Sequence, residues 1–456
     1  MTVCPSNLPQ PLVKPGPWPT PTQLLLLRAC LESGAEARAA WEEWSSIVDL
    51  DHLDYQSCYL LPMLDKNLRA IGVTGHPWLG RIKGYRRYIW VKNRQLLVLS
   101  SQLIQELRPV VGENLLIIKG AALAWGHYPD PGLRQTRDLD CMVKPESVPH
   151  VLRHFKSLGW KMPTWVDWDR NRHGPDVETQ RRVDQISTSF CTDYSDGSVT
   201  QPAGQQSILT DDRIHIDLHW YLMPDLCGAA ANETFWNSAV VMRLPDGSEV
   251  RTLQATDLLF HCCLHSPVWW PPPETRWIVD AVTLLRDTKS IRWRRLVDLA
   301  EQLCYTLRLG TALSYVASTF PRQTCIPEDV IHFLLNRDHS AEEIGEYRER
   351  VGLPPDGQEC PPSVFTYYWR FRFTYYWRFR VRSVPLNGSW LQEIRAFACF
   401  LRVSWGLRNL WLVFVIAPFR AVRRIYRKYL LRAGRARSEA SPDSTSQTKN
   451  TLPVPQ

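Results

Sequence analysis

The sequence predicts a chain of the α/β class in its mixed, α+β form: a small mixed sheet flanked by helical regions, with a basic helical segment towards the C-terminus. Three observations predict it. Short apolar or alternating runs at 115–118, 137–143 and 213–220 have the length and two-residue period of strands. Longer runs with helical periodicity lie before them, at 24–29 and 88–98, and after them, at 255–261 and 293–300. Charge is the third: residues 364–437 hold fifteen arginines and one lysine against the single acid Glu393, although the whole chain is only +8.

With 456 residues the chain has room for two or three compact units with substantial cores. Its hydrophobic share of 44% and charged share of 22% describe an ordinary globular protein, in which most of the twenty tryptophans are expected to pack in the core or in grooves. Twelve scattered cysteines form no Cys-x-x-Cys pair. That sets aside a zinc ribbon and a short secreted disulfide framework, and points to a reducing cytoplasm. P-loop, Gly-x-Ser-x-Gly and Rossmann glycine motifs are all missing from the sequence.

Taken in order, residues 1–21 are proline-rich, lack the basic start and apolar run of a signal peptide, and read as a flexible lead. Residues 22–111 read as a helical N-terminal subdomain. The core spans 112–225. In it Leu115-Leu116-Ile117-Ile118 is a short buried strand running into Lys119-Gly120-Ala121, where glycine lets the backbone turn closely into a helix whose free N–H groups can face phosphate. The next strand carries Asp138 and Asp140 in Arg137-Asp138-Leu139-Asp140, and its alternation turns both carboxylates to one face. Two hard oxygen ligands side by side suit Mg²⁺ or Mn²⁺. Asp-x-Asp alone is a weak signal, because solvated surface strands show it by chance. Its surroundings give it weight, since a third strand, Arg213-Ile214-His215-Ile216-Asp217-Leu218-His219-Trp220, brings another carboxylate. The polar stretch 167–207 between these strands reads as an insertion over the rim of the site.

A glycine turn opening a helix, a strand with two aspartates and a later strand with one more is the layout of the DNA polymerase beta-like nucleotidyltransferases. The run from Lys119-Gly120 through Tyr128-Pro129-Asp130-Pro131-Gly132-Leu133-Arg134 to Asp138-Leu139-Asp140 resembles a poorly characterised bacterial nucleotidyltransferase family of that superfamily. Ile216-Asp217-Leu218-His219-Trp220, Leu258-Leu259-Phe260-His261-Cys262-Cys263-Leu264-His265 and Trp277-Ile278-Val279-Asp280 extend the resemblance across about residues 20–345. It implies metal-dependent transfer of a nucleoside monophosphate from an NTP to an acceptor hydroxyl, with release of pyrophosphate. In that reading Asp138, Asp140 and Asp217 hold Mg²⁺ or Mn²⁺, and Asp217 also helps to deprotonate the acceptor. Lys119, Gly120, Ala121 and Arg134 meet the triphosphate. Many superfamily members carry Gly-Ser or Gly-Gly at the turn; Gly120-Ala121 lacks that hydroxyl and leaves the turn backbone and Lys119 to hold the phosphates. The departure motivates an alternative, a catalytically weak binding scaffold in a biosynthetic assembly, against which the three retained aspartates count.

Neighbouring polar residues receive blander expectations. Arg137, opposite in strand phase to the aspartates, is assigned a structural ion pair. His215, Asp217 and His219 on one straight strand span about 13 Å and cannot share one ion without a sharp bend. His219 is therefore expected to support or pack beside the site. His261 and His265 have helical i, i+4 spacing but lack the glutamate of His-Glu-x-x-His, and read as core or cleft histidines.

Residues 226–350 read as a helical domain of the kind that closes the nucleotide cleft in related folds, and the prolines of 351–363 as a linker. Residues 364–382 contain an exact eight-residue tandem repeat, Phe-Thr-Tyr-Tyr-Trp-Arg-Phe-Arg, at 365–372 and 373–380. As a strand it separates aromatics from arginines, a platform for nucleic acid or membrane. A recent duplication tolerated at a domain edge is the favoured reading. In 383–437 the apolar run 410–419 is too short to span a bilayer, and the surrounding arginines suit a helix lying on an anionic membrane surface or docked on a protein partner. Nucleic acid is the less favoured partner. The expected location is the cytoplasm, with peripheral attachment to the inner face of the membrane, and residues 438–456 read as a disordered tail.

Overall fold

Thr20 opens the first helix with a capping box: its side chain accepts from the Gln23 N–H, the Gln23 side chain accepts from the Thr20 N–H, and Pro21 sits where no intrahelical donor is needed. The computed structural model describes residues 18–158, 205–210, 214–223, 229–244, 246–265 and 273–340, with 343, 344, 347, 411, 412, 414 and 415. The expectations for the N-terminal lead up to residue 17, most of the 167–207 insertion, the 351–363 linker, the tandem repeat and the tail fall outside these residues.

Five helices precede the sheet: α1 (Pro21–Leu31), α2 (Gly34–Ile47), α3 (Tyr55–Cys58), α4 (Leu61–Ala70) and α5 (Leu79–Val111). The last is 33 residues long, about 50 Å at the helical rise. Its buried Ile82, Ile89, Asn93, Leu96, Leu103 and Leu107 recur at helical spacing and mark one inward face. Gly112, with φ +58, ends it by a backbone conformation that a side chain would strain.

Next come β1 (Leu115–Ile117), α6 (Lys119–Gly126), β2 (Leu139–Val143), α7 (Val148–Ser157), β3 (Gln205–Thr210) and β4 (Ile214–His219). After them lie α8 (Ala229–Asn237), β5 (Val240–Arg243), β6 (Glu249–Thr252) and α9 (Ala255–His265), then α10 (Arg276–Leu285), α11 (Trp293–Gln302), α12 (Thr306–Thr319) and α13 (Glu328–Leu335). The six strands form one mixed sheet in the order β3-β4-β2-β1-β6-β5. β2 and β4 run parallel, as do β1 and β6, while the other neighbours are antiparallel. β1 and β2 are buried along their whole length, as expected for central strands covered on both faces.

This is the predicted class, with one difference in detail. The stretch read as helical from 226 onward contains the β5–β6 hairpin, which extends the sheet beyond β1. Asp246 and Gly247 make its turn, with Gly247 at φ +88 and the Asp246 carboxylate accepting from the Ser248 N–H. Their Asp-Gly pair between two alternating runs is a hairpin signal.

The chain divides into two compact units, residues 1–386 and 387–456, and every strand and helix named so far belongs to the first. There Trp44, Trp220 and Trp277 are fully enclosed, as their packing role requires. In the second unit Trp411, Leu412, Phe414 and Val415 are helical, and Trp411, Phe414 and Val415 are exposed. Among the described residues no helix is long and apolar enough to cross a membrane.

Candidate active site

Strand register brings the acidic side chains together. In the parallel pair β2/β4, Asp140 stands opposite Asp217 and Met142 opposite His219. Residues paired across strands, or two apart along one strand, share a face, so Asp140, Asp217 and His219 converge. One ligand atom from each lies within 4.8 Å of the others, and all three residues are buried. Among the described residues no other His, Cys, Asp or Glu trio gathers so closely.

β1 delivers a cation to the same place. The Ile118 N–H donates to the Asp140 carbonyl at 3.0 Å, holding the chain against β2 until Lys119, which takes φ +50 and starts α6. A lysine in this region is strained by about 1–2 kcal/mol, and such strain persists where surrounding contacts hold it. From there Nζ lies 2.6 Å from Asp140 Oδ1 and 3.1 Å from His219 Nε2, and Nε2 is itself 3.0 Å from that Oδ1.

The charges respond to this crowding. Burial works to raise the pKa of Asp140, but the Lys119 ammonium and His219 outweigh it and hold the carboxyl well below the usual range. Burial likewise works to lower the pKa of Lys119, and the charges of Asp140 and Asp217 prevail and raise it. His219 is pushed down to about 4 by burial and by Lys119, so it is neutral near pH 7. Asp138 sits just before β2, half-buried and outside the 4.8 Å cluster; burial and the Asp140 charge push its carboxyl up.

Arg134 has a different main partner from the one its sequence position suggests. Its Nε and Nη2 donate to Asp280 of α10 at 2.7 and 2.8 Å, and the Tyr128 hydroxyl donates to the same carboxylate at 2.7 Å. Nη1 faces the turn, 2.8 Å from where a Cβ on residue 120 would stand, so Gly120 makes room for the guanidinium. Ala121 is wholly buried behind the turn. The loop carrying Arg134 is clamped from α5: Asn93 donates to the carbonyls of Pro131 and Arg134 and accepts from the Thr136 N–H, while Arg86 bridges Asp65 and Asp130. Much of the Tyr128–Arg134 motif therefore builds and fastens this loop.

Among the described residues Arg137 shows a ring contact and no ion pair. Its guanidinium lies over the Tyr59 ring at 4.7 Å, sharing it with Arg276 at 4.3 Å. His219 lies beside the site as expected, and cross-strand pairing brings its Nε2 within 3.0 Å of Asp140 Oδ1, into one cluster with Asp140 and Asp217. His261 is enclosed in α9, as read for a core histidine, and its ring lies 4.9 Å from that of the exposed His265. Asp280 enters the sequence reading only as the end of a resembling run, with no role of its own; a lone acid inside the apolar run Trp277-Ile278-Val279-Asp280-Ala281-Val282 needs a buried cation, and that is the signal that points to Arg134.

An acidic pair on neighbouring strands, facing a turn at the start of a helix, is an arrangement that could hold a metal ion. The chain belongs to an uncharacterised nucleotidyltransferase family, whose model matches residues 55–321, more than half its length. No curated protein matches it. Membership supports a nucleotidyl-transfer role with a nucleotide as substrate. The donor set fits a divalent ion, because two buried carboxylates and a neutral imidazole already face a cation, the Lys119 ammonium.

Proposed function

We propose that the chain is a metal-dependent nucleotidyltransferase that moves a nucleoside monophosphate from an NTP to an acceptor hydroxyl and releases pyrophosphate. The observation that carries this reading is the direct pairing of Asp140 with Asp217 beside Lys119, in a chain of the nucleotidyltransferase family. Asp138, Asp140 and Asp217 are assigned as holders of Mg²⁺ or Mn²⁺. A divalent ion held by these residues would supply positive charge where negative charge develops during the transfer.

The chain's own groups orient the reactants and move the proton. Asp217 takes the proton of the acceptor hydroxyl as its oxygen bonds to the α-phosphorus. The bond from that phosphorus to the bridging oxygen breaks on the opposite side, and pyrophosphate departs with the electron pair. The first N–H groups of α6, which has no side-chain N-cap, and the Lys119 ammonium are assigned to the phosphates. Arg134 adds charge to the Gly120 turn through Nη1, with Asp280 fixing its plane. In the accompanying organisation, the helical subdomain 22–111 braces the core 112–225 with its 167–207 insertion, and 226–350 closes the cleft. The 383–437 segment attaches the enzyme, in the cytoplasm, to an anionic membrane or a protein partner.

The test is transfer of α-labelled nucleotide in the presence of Mg²⁺ or Mn²⁺, across sugar, small-molecule, protein and RNA acceptors. Wild-type protein is expected to label one class and release pyrophosphate, and Asp217→Asn to lose transfer while still binding nucleotide. Nucleotide binding without transfer to any acceptor would favour the scaffold.

A further inference from the structure

We infer that His219 is itself a ligand of the divalent ion, making a mixed carboxylate and imidazole site that takes Mn²⁺ in preference to Mg²⁺. The inference rests on the metal-dependent reading above and deepens it. Residue chemistry and position carry it. His219 is 2% exposed, so its ring is held inside the protein beside the carboxylates. Its Nε2 faces the carboxylate cluster, 3.0 Å from Asp140 Oδ1. Two donors bound to one ion about 2.1 Å away, at right angles, stand about 3 Å apart; the imidazole and carboxylate already have that spacing.

Hydrogen-bond accounting points the same way. Nε2 carries either a proton or a lone pair. A proton would serve Asp140 but would face the Lys119 ammonium 3.1 Å away, which is itself a donor. With the proton on Nδ1, the Nε2 lone pair faces the cation of the cluster, and this tautomer is also the one that ligates metal through Nε2. Lys119 then marks a place where a positive charge is held by one nitrogen and one oxygen donor together. Mg²⁺ favours oxygen donors and retains water, whereas first-row transition ions accept a nitrogen donor more readily, and among them Mn²⁺ is the one that shares the preference of Mg²⁺ for carboxylates.

The experiment uses the full chain loaded with Mn²⁺ and reads ¹⁴N coupling to the bound ion by pulsed electron paramagnetic resonance. Wild-type protein is expected to show the coupling of a directly bound imidazole. His219→Ala is expected to lose it, with Mn²⁺ affinity falling about tenfold or more and Mg²⁺ affinity, measured by competition, falling less. The wild-type spectrum decides the point even if the variant does not fold. Mn²⁺ bound in a manner abolished by Asp140→Asn, yet without ¹⁴N coupling, overturns the inference and leaves the transferase reading standing. Wild-type protein that binds no Mn²⁺ overturns both.

Discussion

Asp140 on β2 and Asp217 on β4 are directly paired across parallel strands, so backbone register alone sets two buried carboxylates side by side. Like charges so placed need a cation, and Lys119 supplies one at 2.6 Å from Asp140. The helix-opening lysine is therefore part of the acidic cluster's charge balance as well as a candidate phosphate contact.

Lys119→Met should leave those carboxylates uncompensated. Removing one partner of a buried ion pair costs about 3–5 kcal/mol, and an added divalent ion should restore part of it. Chemical denaturation with and without Mn²⁺ should show a larger metal-induced gain in Lys119→Met than in wild type. An equal gain in both would mean that the ammonium and the metal do not share a site.

Asp280 should matter to stability although it lies on a helix beyond the sheet. Asp280→Asn strips the charge from an acceptor that holds Arg134 by two bonds and Tyr128 by one. A loss of about 3–5 kcal/mol is expected. In a double-mutant cycle with Arg134→Met, the two losses should be far from additive. Additive losses would show the pair to be energetically independent.

The elements legible in the sequence were those whose pattern is local. Leu115-Leu116-Ile117 announced a buried strand, the Asp138-Leu139-Asp140 alternation placed both acids near one strand start, and Asp217 sat on a strand of its own. Long-range pairing was not readable there. Nothing in the period of Ile216-Asp217-Leu218-His219 states that Asp217 lies opposite Asp140, so the approach of His219 to Asp140 is not legible there. Arg134 read as a phosphate contact because its partner Asp280 lies 146 residues away. β3, with the polar sequence Gln205-Gln206-Ser207 at its start, is an edge strand whose composition gave little apolar alternation.

Acid should weaken the fold through buried neutral histidines. Burial pushes His261 from an ordinary value of 6.5 down to about 3. Its stabilising preference for the neutral form is complete above pH 6.5 and is lost as pH falls towards 3, amounting to about 2 kcal/mol by pH 5. His219 acts in the same direction, while the raised carboxyl of Asp138 acts against it. Because these overlap, the check is a difference: unfolding of wild type and His261→Gln from pH 7 to 5 should show the shallower decline in the variant. Parallel curves would remove His261 as a cause.

Removing residues 387–456 at the boundary between the two compact units should leave a nucleotide-binding body that no longer floats with anionic vesicles. Exposed helical Trp411, Phe414 and Val415 lie at i, i+3 and i+4, where one face can enter the lipid interface. Each nearby arginine adds about 1 kcal/mol on an anionic surface. High salt or neutral lipid should release the full chain. Equal flotation of both proteins, or of neither, would point to a protein partner instead.

The most direct measurement of the central claim is thermal stability with Mn²⁺ or Mg²⁺ and an NTP, in wild type and in Asp138→Asn/Asp140→Asn. A ligand that binds only the folded chain raises its melting temperature. The wild type should gain stability from metal and nucleotide together, and the double variant should fold yet lose the metal-dependent gain. An unchanged gain in the folded double variant would contradict the assignment of these aspartates to the site.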